Sequence, residues 1–471
     1  MDKKSAADAA ASGDSPEIRS LPDSRSLPDI RLLIDSDHIP VAELYARFAS
    51  MNSVDIAALF GDIDREKTVR IFRILPKHMA AEVFAYIEPE EQQIIVEALT
   101  ENEVSDIINK LFIDDAVDVL EEMPADVVNR VLQKVGTEKR KIINQILQYP
   151  EDSAGSIMTP EYVELREDQT VAEAFEHIRT IGINRETIYT SYVLRRDRLL
   201  LGIVSAKRLM LADPEEKIGD IMESNFVAAG TADDREAAAA LFKKYGLLSL
   251  PVVDREKHMV GIITVDDVVE VIEEEATEDF EKMAALTPSD EPYLKTSILK
   301  LARNRIVWLL VLMLSAALTG GIISGYEDAL ALLPALVVFI PMLMDTGGNA
   351  GSQTSTLIIR GMALGEIRPG DALRVLGREV CIALLCGLAL GIINYVRIYL
   401  MYGHKSSLCI TVTLSLIITV IIAKTIGCLL PLAAKKLRMD PAIMAAPIIT
   451  TLVDGTSLAV YFSIARKIFK I

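Results

Sequence analysis

The chain is poor in the residues that soft-metal and nucleophile chemistry require. Of 471 residues only four are cysteine and five are histidine. Cys381, Cys386, Cys409 and Cys428 lack zinc-type spacing and have no histidines clustered beside them. They read as packing residues of a protein whose thiols stay reduced. No P-loop, no HExxH helix and no nucleophile–base pair occurs, which argues against an enzyme. The first fifty residues lack an apolar core of the length a secretory leader needs, so none is expected.

What is abundant is segregated. Apolar residues make up 51% of the chain and charged residues 25%, with a mean hydropathy of +0.30. Residues 1–289 carry 32 Lys/Arg and 57 Asp/Glu, whereas residues 290–471 carry 17 and 10. A strongly acidic half therefore precedes a mildly basic, apolar half. Whole-chain disorder, a disulfide scaffold and a nucleic-acid binder are excluded.

Charge-free runs in the apolar half predict five membrane spans: 306–326, 329–359 interrupted by Asp345, 380–396, 406–434 interrupted by Lys424, and 441–465 interrupted by Asp454. Basic residues at 295–305, 360–378 and 435–438 fall on one side of the bilayer if the acidic half is cytoplasmic. Arg397 and Lys405 lie opposite, and Arg466, Lys467 and Lys470 are an exception to the positive-inside rule. The N-terminus is thus expected inside and the C-terminus outside.

A charge at bilayer depth costs ~2.5–3.5 kcal/mol and faces a pathway or a partner. Asp454 has Thr450, Thr451 and Gly455 beside it, and Asp440 precedes it by fourteen residues. On one continuous helix those carboxylates would stand about 40° and about 21 Å apart, as an entrance acid and a central acid. The alternative is an ion pair between Asp454 and Lys424. The segment Asp345-Thr-Gly-Gly-Asn349-Ala-Gly-Ser-Gln353 is poor in helix formers. It reads as irregular backbone lining a watery cavity, or as close small-residue packing. Asp454, Asn349 and backbone carbonyls suit a hydrated Mg²⁺, which keeps several waters. A softer metal would want Cys, Met or His clusters.

The acidic half is built of duplications. A Ser/Asp/Pro-rich tail, 1–37, repeats Arg-Ser-Leu-Pro-Asp and is expected to be disordered. Residues 51–135 repeat every 24 residues, each unit reading as two short helices that stack into an α-superhelix. Asp114 and Asp118 share a helix face there, either as solvated surface or as like charges relieved by a cation. Within 155–279, Gly155-Ser-Ile-Met158 echoes Gly219-Asp-Ile-Met222, and 201–210 echoes 260–269. This resembles a tandem CBS-domain pair. That family's ribose-binding signature is complete only in the second copy, at Gly261, Thr264 and Asp267, since Arg208 replaces the acid in the first. ATP binding is left open by that half-complete signature. Six acids then fall within 270–279.

The order of acidic helical repeat, CBS pair, acidic linker and five spans, with Pro341-Met-Leu-Met-Asp-Thr-Gly-Gly-Asn and Asp440-Pro-Ala through Asp454-Gly-Thr, resembles the MgtE family of bacterial magnesium channels. The resemblance implies a multi-domain fold: an α-helical superhelix repeat domain (38–150), an α/β tandem CBS pair (151–275), a connecting plug helix (276–304) and an α-helical five-span pore domain (305–471). It implies a homodimer in the bacterial plasma membrane, with Mg²⁺ as cargo and regulator. Asp454 becomes the central ion-binding residue and Asp440 the link from pore mouth to gate. The N-domain ligands fall on Glu82, Asp114 and Asp118. Those of the CBS pair and linker fall on Asp234, Glu236, Asp267, Glu270, Glu275, Glu278 and Asp279. Gly246 departs, standing where an acid is expected. Closure by Mg²⁺ is the implied regulation. The alternatives are transport coupled to H⁺ or Na⁺, carriage of Mn²⁺ or Co²⁺, or a membrane-anchored sensor.

Overall fold

The computed structural model describes residues 30, 33–34 and 40–470, save for 62, 77–78, 122, 290–292, 295 and 403–405. Most of the 1–37 tail, and the loop that holds His404, lie outside the described residues. The chain divides into two compact units, Met1–Val271 and Ile272–Ile471.

The first unit opens with helices α1 (Val41–Phe48), α2 (Ser53–Phe60), α3 (Arg65–Phe72), α4 (Ala80–Ala85), α5 (Pro89–Ala98), α6 (Glu101–Lys110), α7 (Ile113–Glu121), α8 (Ala125–Lys134) and α9 (Thr137–Ile146). The 24-residue period is visible in their starts: Arg65, Pro89, Ile113 and Thr137 each begin a helix. Turn chemistry enforces it. Thr100 and Glu103 close a capping box at α6, and Pro89 sits at the first position of α5, where its missing N–H costs nothing. Phe60, Phe72 and Phe84 recur every twelve residues and stack edge to face at 6.3 and 5.8 Å. Successive helices are thus stapled through one apolar seam.

Two matching three-stranded sheets follow. In one, β1 (Val163–Leu165) pairs parallel with β2 (Thr190–Leu194), which pairs antiparallel with β3 (Leu200–Ser205). In the other, β4 (Ala229–Gly230), β5 (Ser249–Val253) and β6 (Met259–Thr264) repeat that order. Both carry a bulge at the same place, Val193/Leu194 and Val252/Val253. Helices α10 (Val171–Ile181), α11 (Ala206–Leu211), α12 (Ile218–Ile221) and α13 (Arg235–Tyr245) complete the two copies. The duplicated glycines have a packing cause. A Cβ on Gly202 would meet the Glu223 carbonyl at 2.9 Å, and one on Gly261 would meet that of Thr159 at 2.9 Å. Gly246 caps α13 with a left-handed φ of 64°, which explains glycine where an acid was expected.

From β6 the chain enters α14 (Val265–Met283). The connecting helix expected at 276–304 is not continuous. Ala285 turns left-handed at φ 56°, Pro288 disfavours helix before it, and Ser297 caps a new helix, α15 (Ile298–Ser324). Lys300, Arg303 and Arg305 therefore belong to the first apolar helix.

The second unit continues with α16 (Glu327–Leu332), a 3₁₀ stretch Pro334–Phe339, α17 (Ile340–Ala363), α18 (Ala372–Met401), α19 (Ser406–Lys436) and α20 (Ala446–Phe469). Among the described residues four segments are long and apolar enough to cross a membrane: Ile298–Ser324, Pro369–Met401, Ser406–Lys436 and Pro441–Phe469. The span expected at 329–359 is not one run. Its backbone irregularity falls at Pro334–Phe339, ahead of the glycines, and α17 is regular through Asp345–Gln353. The glycines serve close packing. Cβ atoms on Gly347 and Gly351 would meet Thr419 at 2.7 Å and Ile449 at 2.6 Å, and one on Gly427 would collide with the Gly351 backbone.

Gly427→Ala should therefore destabilise the membrane unit by about 1–3 kcal/mol, whereas Gly377→Ala, with open space around it, should not. Thermal unfolding of both variants in detergent checks this, and equal midpoints would contradict the packing account.

Candidate functional site

Helix α7 positions the first cluster. Its first free N–H, from Ile113, donates to Glu161 Oε2 at 2.8 Å, a carboxylate on the positive end of the helix. Asp114, one residue on, is buried. The Glu186 N–H donates to the Glu161 carbonyl at 2.9 Å, which draws the segment before β2 to the same place. Carboxylate oxygens of Asp114, Glu161 and Glu186 consequently lie within 4.8 Å of one another. Three segments far apart in the chain supply them.

The surrounding electrostatics are those of crowded acids. Burial, then Asp267 and Asp115, push Asp118 up to about 8. Burial and the charges of Asp115 and Asp267 raise Glu186 to about 8, and burial with Asp267 and Asp266 raises Asp115 to about 6. Asp114 is raised well above its ordinary value, again by burial first and then Glu186 and Asp267. Burial lifts Glu161 and Asp267 as well, although hydrogen bonds from Ile113 and Thr264 oppose it. Burial lowers the Lys139 ammonium against the attraction of Glu161, Asp114 and Asp115. These are oxygen donors suited to a hard divalent cation.

Of the expected regulatory ligands, Asp114, Asp118 and Asp267 meet here, and Glu270 is near enough to act on Asp118. Glu82 lies in the first turn of α4 and, with Asp115, Asp266 and Glu186, acts on Tyr86 at the edge of the same region. Asp234 has a different place. It caps α13, accepting from the N–H groups of Glu236 at 2.8 Å and Ala237 at 3.3 Å, and Glu236 is exposed in that first turn. Sequence reasoning missed Asp115, Glu161 and Glu186. Glu161 and Glu186 stand 47 and 72 residues from Asp114, so no helical spacing could have joined them.

The second copy's signature is partly spent on structure. Thr264 Oγ1 donates to Asp267 Oδ2 at 2.6 Å, closing the start of α14, and Gly261 is accounted for by the approach of Thr159. In the first copy Ser205 Oγ caps α11 by accepting from the Arg208 N–H at 3.3 Å.

In the second unit Asp454 is half-buried on α20 and makes no hydrogen bond or ion pair with any described residue. It stands within electrostatic reach of Asp345 on α17. Asn349 lies one turn beyond Asp345, exposed on the same helix. Asp345 is the addition here: the sequence reading took it only as an interior charge. The ion pair between Asp454 and Lys424 does not form, because Lys424 Nζ lies 3.8 Å from Glu379 instead. Asp440 is not on the helix of Asp454. It caps the 3₁₀ turn Pro441–Met444, accepting from the Ala442 N–H at 2.8 Å, and Ala445 is extended before α20 begins. That break voids the single-helix angle and separation.

Asp440 has a protein cation. Lys282, near the end of α14, lies 2.8 Å from Asp440 Oδ2 and 2.5 Å from Glu278 Oε1. Burial opposes its charge, but those two carboxylates outweigh burial and hold the ammonium above its usual value. Glu278, expected as a metal ligand, is thereby ion-paired. Glu275 and Asp279 lie on the same helix.

A helical repeat, a duplicated α/β pair and an apolar helix bundle with interior acids define a membrane cation transporter with an attached regulatory half. Comparison with known proteins agrees. Residues 340–464 match the divalent cation transporter model, 51–152 the MgtE intracellular N domain, and 154–215 and 218–274 the CBS domain. The chain is 36% identical to the magnesium transporter MgtE of Thermus thermophilus over 88% of its own length and 93% of that protein's. It is 32% identical to the Bacillus subtilis magnesium transporter MgtE over 87% and 90%. It therefore belongs to the MgtE family. A solved soluble part of a magnesium transporter is 26% identical, with TM-score 0.50, covering 54% of this chain and 98% of that one. The cytosolic domain of an Mg²⁺ channel MgtE, solved with ATP, is 35% identical with TM-score 0.47, covering 48% and 93%.

A carboxylate whose folded pKa is raised stabilises the fold most at low pH and loses that contribution as pH rises through the raised value. With Asp115 at about 6 and Asp118 and Glu186 at about 8, the metal-free acidic unit should lose stability between pH 5 and pH 8.5. Mg²⁺ should restore it at the alkaline end. Protease protection of the full chain across that range, with EDTA and with Mg²⁺, checks both halves. Protection that rises with pH in EDTA would contradict the cluster's charge balance.

Proposed function

We propose that this chain carries Mg²⁺ inward along a path lined by Asp454, with Asn349 and Asp345 on the facing helix and Asp440 at its mouth. The carrying observation is Asp454: a half-buried carboxylate without a protein partner, on a helix apolar enough to cross a membrane. A charge that costly is retained where an ion meets it. Oxygen-only donors, spaced sparsely, favour a hydrated hard cation. Helix α17, with 24 residues, reaches about 36 Å against a ~30 Å hydrocarbon core, and we take it as a fifth crossing. The basic clusters orient the acidic half to the cytoplasm of the plasma membrane and the C-terminus outside. Asp345 and Asn349 are exposed on a single chain, so a homodimer in the bilayer, pairing these faces, completes the path. The membrane potential drives entry with ~2.3 kcal/mol per charge per 100 mV, doubled for a divalent ion.

The acidic half is the sensor in this reading. Asp114, Asp118, Glu161, Glu186 and Asp267, with Glu82 and Glu270 at the margin, hold Mg²⁺ when it is plentiful, and the closed state gains that differential binding energy. Asp234, Glu236, Glu275, Glu278 and Asp279 are further candidate ligands. At the mouth, Lys282 already supplies a tethered positive charge between Glu278 and Asp440. It links α14 to the mouth as a bound cation would. ATP is the candidate ligand of the CBS pair, through Thr264 and Asp267.

Mg²⁺ influx into proteoliposomes under an inside-negative potential should fall to background in Asp454→Ala; equal influx would remove Asp454 from the path. Influx that needs an H⁺ or Na⁺ gradient in place of a potential would make the protein a coupled transporter, and equal competition by Mn²⁺ or Co²⁺ would widen its cargo. Lys282→Met should raise the Mg²⁺ concentration that half-closes the wild type by about two- to ten-fold. An unchanged closing concentration would deny Lys282 a part in closure.

A further inference from the structure

Lys424 and Glu379 are interior charges of the bundle that the pathway does not use. Lys424 is the central one. It lies on α19 between charge-free stretches, 7% exposed. Its ammonium donates to Thr354 Oγ1 on α17 at 3.0 Å and lies 3.8 Å from Glu379 Oε2 on α18. The Thr354 hydroxyl donates to that same Glu379 oxygen at 2.9 Å. Thr354 is wholly buried and Glu379 is 8% exposed. A hydroxyl has one proton, so donating it to Glu379 leaves a lone pair for Lys424 and fixes the direction of both bonds. Three helices thus share one directional polar contact in apolar surroundings.

Stability does not explain it. A well-packed apolar trio of similar volume is often as stable as a buried ion pair, and the best-attested use of such a pair is to specify register. Register is what such a contact supplies here, beside the hydrogen bond that Ser355 of α17 donates to the Met444 carbonyl at 3.2 Å. Helix α17 meets its neighbours through Gly347, Gly348 and Gly351, against Thr419, Thr450 and the Ala423 carbonyl. Small residues let backbones approach closely but offer few knobs to oppose sliding. A shift of one residue moves a helix by about 1.5 Å and turns it by about 100°. The same helix carries Asn349 and Asp345, five and nine residues before Thr354, toward the helix of Asp454.

We propose that the Lys424–Thr354–Glu379 cluster positions the cation path: it sets the axial register of α17 on α19, and so the height at which Asp345 and Asn349 stand beside Asp454. The proposal rests on the reading of Asp454 as the pathway acid. None of the three residues touches the ion; all three are positioning residues.

The test uses the full chain in proteoliposomes and reads the ratio of Mg²⁺ to Mn²⁺ influx. Thr354→Val removes only the hydroxyl, and Thr354→Ser restores it. The paired change Lys424→Met with Glu379→Gln removes both charges together, so no lone buried charge threatens folding. Thr354→Val and the paired variant should each shift the ratio by about three-fold or more, while Thr354→Ser stays within about two-fold of the wild type. A merely structural cluster would lower the unfolding midpoint and leave the ratio of the folded protein unchanged. An unchanged ratio in both altered variants overturns the proposal, and Asp454→Ala run alongside keeps the two readings apart. Influx abolished by Asp454→Ala with unshifted ratios sinks the positioning role alone, whereas influx that survives Asp454→Ala sinks the pathway reading first.

Discussion

Carboxylates cannot be crowded out of water without something positive to share. Around the start of α7, Asp114, Asp115, Asp118, Glu161, Glu186 and Asp267 are brought together by a helix N-terminus, a hydrogen bond from Ile113 and the turn before β2. Burial and mutual repulsion push protons onto them, and Lys139 alone does not balance the set. Such a cluster holds protons or a divalent cation, and the choice follows the concentration of each. A sensor for a hard cation needs no more than this. In the proposed reading the fold therefore stores its response in this crowding of like charges.

The membrane unit solves the opposite problem. There a few charges sit among many apolar side chains, and each has a distinct fate. Lys424 and Glu379 satisfy one another through Thr354. Lys282 satisfies Asp440 and Glu278. Asp345 and Asp454 have no counter-charge among the described residues and repel each other across a seam of glycines. Pairing makes structure, and in the proposed reading the unpaired acids are left for the cargo. The glycines serve both ends, since close backbone approach leaves α17 free to bear polar side chains on its open face.

Much of this was legible beforehand because it is periodic. The 24-residue repeat, the duplicated Gly-apolar-apolar-Ser/Thr signature and the long charge-free runs are patterns that local geometry imposes on sequence, and the helices, paired sheets and apolar bundle follow them. What failed was continuity assumed across a break. The lane from Asp440 to Asp454 presumed one helix, but Ala445 is extended. The linker at 276–304 presumed another, but Ala285 and Pro288 end it. Glu379 directly precedes the charge-free run at 380–396 and went unremarked, yet α18 begins seven residues earlier and carries it inside.

The sequence by itself determined the order of modules, their periods and the two membrane motifs, because these depend on neighbours in the chain. Only the tertiary structure decided which charges meet. Glu161 and Glu186 join Asp114, Lys424 leaves Asp454 for Glu379, and Lys282 bridges Glu278 and Asp440. Electrostatic energy depends on separation through space, and no local spacing encodes that distance for residues dozens of positions apart.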